Sequence, residues 1–221
     1  MRYLQILNLL KFKCMQSLIK LSVIFCCIFL FACQGSGDSK VASSEKVVDD
    51  SVVENQALHA IFNRKSVRQY TEREISQDVL DNLLRAGMAA PSSRDRRPWH
   101  FIVISDKEIL DNLGGQLRNA FFMAGANKAI VVCGDEELSD NCWFVDCSAV
   151  TQNILIAAES MGLGAVWTAV YPYDDRADIV RETFGLQKNI HAFAIIPLGY
   201  PLEKNEPKNK FDESRIHYNK W

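Results

Sequence analysis

The chain is poor in the residue clusters that several kinds of chemistry require. Its four histidines (His59, His100, His191 and His217) are scattered and no Cys-x-x-Cys pair occurs, so no metal site is expected. No Ser/His/Asp set and no pair of carboxylates stands out, which leaves hydrolytic triads and acid–base couples without a candidate. No internal repeat is visible, which argues against a solenoid or propeller. No apolar run reaches the ~20 residues needed to span a bilayer. Positive charge is not in excess either. The net charge is −2 over 221 residues, and the basic residues Arg2, Lys11, Lys13 and Lys20 all precede residue 33. Without residues 1–32, 21 Lys+Arg stand against 27 Asp+Glu. Such an acidic body has no general attraction for nucleic acid, so any cation that binds an anion must be placed locally.

What is present begins with a leader. Leu18 to Ala32 is almost continuously apolar, with Lys20 near its start. At about a dozen apolar residues it is shorter than a membrane span and reads as a targeting segment. Leu30-Phe31-Ala32-Cys33 resembles the lipobox at which bacterial lipoproteins are cut and acylated, although Phe31 is larger than that pattern favours. Lipid on Cys33 is therefore expected, giving an extracytoplasmic lipoprotein anchored to a bacterial membrane; an uncleaved anchor is the alternative. Met15 opens a more compact signal of the same kind. Gln34 to Ser51 is rich in Ser, Gly, Asp, Glu and Lys and has no aromatic residue, the composition of a disordered tether. As a coil it would span roughly 20–25 Å. The expected organisation is a leader over 1–32, a tether over 33–52 and one folded body over 53–221. Besides Cys33, the mature chain keeps Cys133, Cys142 and Cys147. Buried free thiols are the expected state, with a Cys142–Cys147 disulfide as the alternative.

The body alternates helical and extended patterns. Val53, Ala57, Leu58, Ile61 and Phe62 recur at helical spacing. Ser76 can cap a helix through Val79, Leu80, Leu83, Leu84 and Gly87 that stops before Pro91. Strands are expected at 100–104, 129–133, 165–170 and 191–197, and helices at 106–117, 146–161 and around 177–184. Gly162 closes the helix at 146–161. Strands separated by helices rather than tight hairpins point to an α+β or α/β layer.

Four segments carry candidate chemistry. In Asn63-Arg-Lys-Ser-Val-Arg-Gln-Tyr70, Arg64, Lys65, Ser66 and Arg68 gather three cations and a hydroxyl, the donor set a phosphate needs. Alone, the stretch reads equally as a solvated basic turn. In Ala90-Pro-Ser-Ser-Arg-Asp-Arg-Arg-Pro-Trp-His-Phe101 two prolines bracket hydroxyls and charges. That is an irregular loop suited to the polar edge of a flat heterocycle, or simply a loop around a core tryptophan. Gly162 and Gly164 allow close backbone approach ahead of Trp167, Ala169 and Val170, as in any strand with glycines. Leu198-Gly-Tyr-Pro201 precedes Lys204, Lys208 and Lys210, a cluster that taken alone is a solvated tail.

Together and in this order, the four segments resemble the nitroreductase family of FMN enzymes, over about residues 55 to 221. The matching pieces are Arg64-x-Ser66-x-Arg68-x-Tyr70, Pro91-Ser-Ser-x-x-x-x-Pro98-Trp99, Ala158-x-x-Met-Gly-Leu-Gly164 with its Trp167 strand, and Leu198-Gly-Tyr-Pro201 with the lysines. The resemblance implies an α+β fold, with a mixed central sheet flanked by helices in an intertwined homodimer and FMN at each subunit interface. It implies that Arg64, Lys65 and Ser66 hold the phosphate and ribityl chain with Lys208 and Lys210. Arg68 would lie near flavin N1 and O2. Pro91, Ser92, Ser93 and Asp95 would reach the flavin from the other subunit, Asn119 would add a polar contact, and the backbone at Ala169 and Val170 would face N5. Asp95 and Arg97 depart from the Asn and Gln of many relatives; a carboxylate there would repel the reduced flavin unless Arg94, Arg96 or Arg97 neutralised it.

By the same resemblance, the expected activity is two-electron, ping-pong reduction of a nitroaromatic, quinone or related small acceptor, with NAD(P)H a possible donor. The cofactor carries the chemistry, and Arg68 acts as an electrostatic stabiliser. Outside the cytoplasm NAD(P)H is scarce, which admits a quinol or redox protein as donor. The competing expectations are reductive dehalogenation or flavin modification within the family, and a lipid-anchored flavin-binding protein without turnover.

Overall fold

The computed structural model describes residues 55–203 and 206–221. The leader, Cys33 and the tether expected over 1–52 lie outside the described residues, as does Lys204. Helices α1 (Gln56–Asn63), α2 (Gln77–Met88), α3 (Lys107–Gln116), α4 (Trp143–Ser160) and α5 (Asp174–Phe184) alternate with strands β1 (Trp99–Ile104), β2 (Lys128–Asp135), β3 (Gly164–Ala165), β4 (Thr168–Ala169) and β5 (Ile190–Gly199). The sheet runs β1-β2-β5-β3, and β4 also pairs β5. This is the expected α+β arrangement. Its strand ladders are antiparallel, and the parallel pairing is the bridge between Ser66 and Ala165.

β2 and β5 form the buried centre of the sheet. Their side chains alternate between its faces, so both faces can bury apolar groups. Ile130, Val132 and Phe193 pack toward Leu83 of α2 and Val150 and Ile154 of α4. Val131 and Ile195 pack on the other face with Leu110 and Leu113 of α3 and Val180 of α5. Ser76 caps α2 as expected, accepting from the Val79 N–H, and Asp106 caps α3 through the Glu108 N–H. Gly162 follows α4 at φ +73°, the left-handed position that closes a helix.

Two expectations need correction. The long helix begins at Trp143 rather than Asp146. The strand expected over 165–170 is broken into β3 and β4, which share one register against β5: Ala165 opposes Leu198 and Thr168 opposes Ile195. Carried through the gap, that register sets Val166 opposite Pro197, which has no N–H to donate, and the ladder lapses there. Helix α1 forms, but within one chain it buries only Ala60, leaving Leu58, Ile61 and Phe62 exposed. The thiols are free, with Cys133 and Cys147 buried and Cys142 half-buried.

Candidate functional site

The basic segment after α1 is held extended along the sheet edge. The Val67 N–H donates to Ala165 O at 3.0 Å, and the Tyr70 hydroxyl donates to Val67 O at 2.7 Å. Val67 is buried and Gly164 makes room for it: a Cβ at Gly164 would lie 2.5 Å from Val67 Cγ1. Tyr70 is buried enough to push its phenol well above the ordinary range. With Val67 turned inward, its neighbours Ser66 and Arg68 face out.

Arg64, Lys65, Ser66, Arg68, Lys208, Lys210 and Glu206 line one cavity of about 520 Å³. Segments some 140 residues apart thus bring five cations and a hydroxyl against one carboxylate, in a chain of net charge −2. Forked guanidinium donors, ammonium point charges and a hydroxyl make a donor set that fits a phosphate dianion. Lys65 is held in place by Glu159 at 3.2 Å, both side chains largely buried, and by Asn63 O at 3.4 Å. The Arg68 guanidinium lies 5.5 Å from the centre of the Phe122 ring.

The Pro91–Trp99 loop is a separate feature and contributes no residue to this cavity. Ser92 Oγ accepts from the Arg97 N–H at 3.0 Å, and the Ser93 N–H donates to Asp146 Oδ1 at 2.9 Å. Asp146 is buried and also accepts from Ser139 Oγ at 3.2 Å. Arg94, Asp95 and Arg97 all have φ between +51° and +56°, a conformation costly for residues with a Cβ. Arg97 grips Asp95 through Nε (2.8 Å) and Nη2 (2.5 Å), and this hydrogen bonding holds the Asp95 carboxyl below its ordinary range. The charge that the sequence raised as an obstacle is therefore neutralised within its own loop, by Arg97. Asn119, at φ +64°, is exposed and does not line the cationic cavity.

The outer edge of β4 provides a third feature. Val170 N–H donates to Phe193 O at 3.1 Å and the side chain is fully buried. The Val170 N–H is thus engaged within the sheet. In an antiparallel ladder, hydrogen-bonded pairs alternate, so with Val170 bonded toward β5 the polar groups of Ala169 point outward. Its carbonyl accepts from Arg176 Nη1 at 2.7 Å, and its N–H points to the same side, away from β5. Thr168 Oγ1, beside it, is buried and has no hydrogen-bond partner among the described residues.

Sequence reasoning missed Glu206, Glu159, Asp146, Arg176 and Phe122. Asp146 and Glu159 left a signal, as acidic residues in the otherwise mostly apolar helix 143–160. Glu206, Arg176 and Phe122 left none, since each acts through a partner distant in sequence or through the backbone.

An α+β body whose edge carries five clustered cations and a hydroxyl offers the donor set that a phosphorylated ligand requires. Residues 61–142 and 114–200 match the Nitroreductase family. A Methanothermobacter thermautotrophicus protein named NADH dehydrogenase/NAD(P)H nitroreductase is 42% identical over 79% of this chain and 92% of its own length. A Parabacteroides distasonis crystal structure of the same name is 55% identical with a TM-score of 0.75, covering 76% of this chain and 99% of that one. A nitroreductase from Desulfovibrio desulfuricans, crystallised with FMN, is 27% identical with a TM-score of 0.68, covering 76% and 98%. The chain belongs to the nitroreductase family.

Proposed function

We propose that the protein is an FMN-dependent oxidoreductase that passes two electrons from a nicotinamide donor to small acceptors such as nitroaromatics or quinones. The observation that carries this reading is the cavity in which Arg64, Lys65, Ser66, Arg68, Lys208 and Lys210 meet. The names of the relatives, which include NAD(P)H, and the FMN bound by one of them support the same cofactor and donor. When bound, FMN would supply reversible acceptance of two electrons. Arg64, Lys65, Ser66, Lys208 and Lys210 would hold its phosphate. Arg68 would offer a guanidinium to the negative charge that reduction places on the flavin, worth most in a site closed to water. The Ala169 N–H offers a backbone donor at the sheet edge. Arg97 cancels the Asp95 charge that would oppose electron uptake.

The acting unit in this reading is a homodimer, with the Pro91–Trp99 loop of one subunit completing the site of the other. Exposed Leu58, Ile61 and Phe62 on α1, and Phe211 near the C-terminus, supply the apolar area a second copy would cover. Lipid on Cys33 would hold this unit on the outer side of a bacterial membrane.

The test is spectroscopic. Purified protein loaded with FMN should lose its visible flavin absorbance on anaerobic addition of NADH or NADPH and regain it on addition of a quinone or nitroaromatic. Bleaching by a quinol alone would reassign the donor. A flavin that neither donor bleaches, or that no acceptor restores, would mark a flavin-binding protein without turnover.

A further inference from the structure

We infer that Arg176 is a positioning residue for the site: it fixes the 169–170 peptide so that the Ala169 N–H is presented outward at the β4 edge. The inference rests on the proposed FMN reading only in what that N–H meets; the hydrogen bonding stands by itself. β4 is two residues long and its continuity with β3 is interrupted opposite Pro197. So short an edge strand has little of its own to hold its orientation. Three contacts supply it. Arg176 Nη1 donates to Ala169 O at 2.7 Å, and across the same peptide unit Val170 N–H donates to Phe193 O at 3.1 Å. Phe193 is the extra residue of β5 where the β2–β5 register shifts, and its carbonyl takes the Tyr171 N–H as well, at 3.0 Å.

A guanidinium on the oxygen of a peptide polarises it and strengthens the bond its N–H makes. Arg176 thereby clamps β4 onto β5 through the 169–170 peptide and, by the alternation of the ladder, turns the Ala169 N–H outward. The arginine is itself set in place: it belongs to the first turn of α5, is half-buried, and lies 4.3 Å from the centre of the Tyr173 ring. The same edge reaches the cationic cavity, because Ala165 of β3 bridges Ser66 and accepts from the Val67 N–H. One interrupted strand therefore links the phosphate donors to Ala169, with a clamp at each end: Val67 on the Ala165 carbonyl and Arg176 on the Ala169 carbonyl.

The experiment compares wild type with Arg176→Ala and Arg176→Lys, first without FMN and then with it. In cofactor-free protein the amide exchange of Val170 should accelerate in Arg176→Ala by about tenfold or more, as expected for losing a charge-assisted partner, with helix α2 amides unchanged. Arg176→Lys, which keeps a charged donor, should restore most of the protection. In FMN-loaded protein, Arg176→Ala should shift the visible flavin band and lower kcat about tenfold, leaving FMN affinity within about threefold because the phosphate donors are untouched. Unchanged Val170 exchange would overturn the inference whether or not FMN binds. A kcat that falls only in proportion to lost fold or lost FMN, with the flavin band unmoved, would overturn it as well. Failure of wild type to take up FMN would sink the proposed function while leaving the exchange result to judge the clamp.

Discussion

Replacing Gly164 by alanine tests how tightly the cationic segment is bound to the sheet. The added Cβ would sit 2.5 Å from Val67 Cγ1 and 2.8 Å from Val67 Cβ. Rotating Val67 relieves the first contact but not the second, so the backbone at 66–67 must move away from β3. Overpacking of this kind costs about 1–3 kcal/mol, or a Tm lower by about 2–12 °C for a body of this size. The displacement also pulls Ser66 from its bridge to Ala165, and losing one charge-assisted hydrogen bond to the phosphate costs about 1.5–3 kcal/mol, roughly 10- to 150-fold in FMN affinity. Gly115 gives the control: it lies in α3, and a Cβ there meets nothing within 4 Å. Gly115→Ala should be neutral or stabilising by up to about 1 kcal/mol with FMN binding unchanged. Melting curves and FMN titration on the two variants read both effects. A Gly164→Ala protein that melts and binds like Gly115→Ala would refute the close approach of Val67 and the strand edge built on it.

Three further outcomes are expected. Burial pushes the Cys133 thiol up to about 12 and raises that of Cys147 as well. Stability from these raised groups is complete below the ordinary thiol value of 9.0 and is lost as pH rises toward 12. Replacing both by alanine should flatten that alkaline decline in a urea-melt pH series, and in the native body a thiol reagent should find Cys142 first. For the anchor, Cys33→Ala should move the protein from the membrane to the soluble fraction of the cell; equal membrane retention would remove the lipid from the account. For the shared site, refolding inactive Arg64→Glu chains together with inactive Ser92→Trp/Ser93→Trp chains should restore up to about half the activity per heterodimer. Heterodimers without flavin or activity would mean that each chain builds its site alone.

Much of the fold was legible because periodicity reports burial. The Ser76 cap, the apolar run of β2 and the closing Gly162 each follow from local chemistry, and each lies where the sequence indicates. The interruption of β4 was not legible, since it depends on Pro197 falling opposite Val166, and cross-strand register is not a local property. The cationic segment was legible by type, yet its meaning depended on Lys208 and Lys210, which only folding brings beside Arg64 and Ser66. The sequence offered Arg94, Arg96 or Arg97 to neutralise Asp95, and the choice of Arg97 was not legible because it depends on the backbone turn that lets it grip the carboxylate. Which N–H of Ala169 and Val170 faces outward was not legible for a related reason: it is decided by ladder alternation around Phe193. Arg176 gave no signal at all, because it binds a carbonyl that every residue possesses.

The central claim is that the cavity of Arg64, Lys65, Ser66, Arg68, Lys208 and Lys210 reads a phosphate. Titrating FMN and riboflavin, which differ by that phosphate, into cofactor-free wild type and Arg64→Ala tests it directly. The account predicts that wild type prefers FMN, and that Arg64→Ala weakens FMN by about 10- to 150-fold while leaving riboflavin nearly unchanged. Equal weakening of both ligands, or a wild type that binds the two alike, would contradict it.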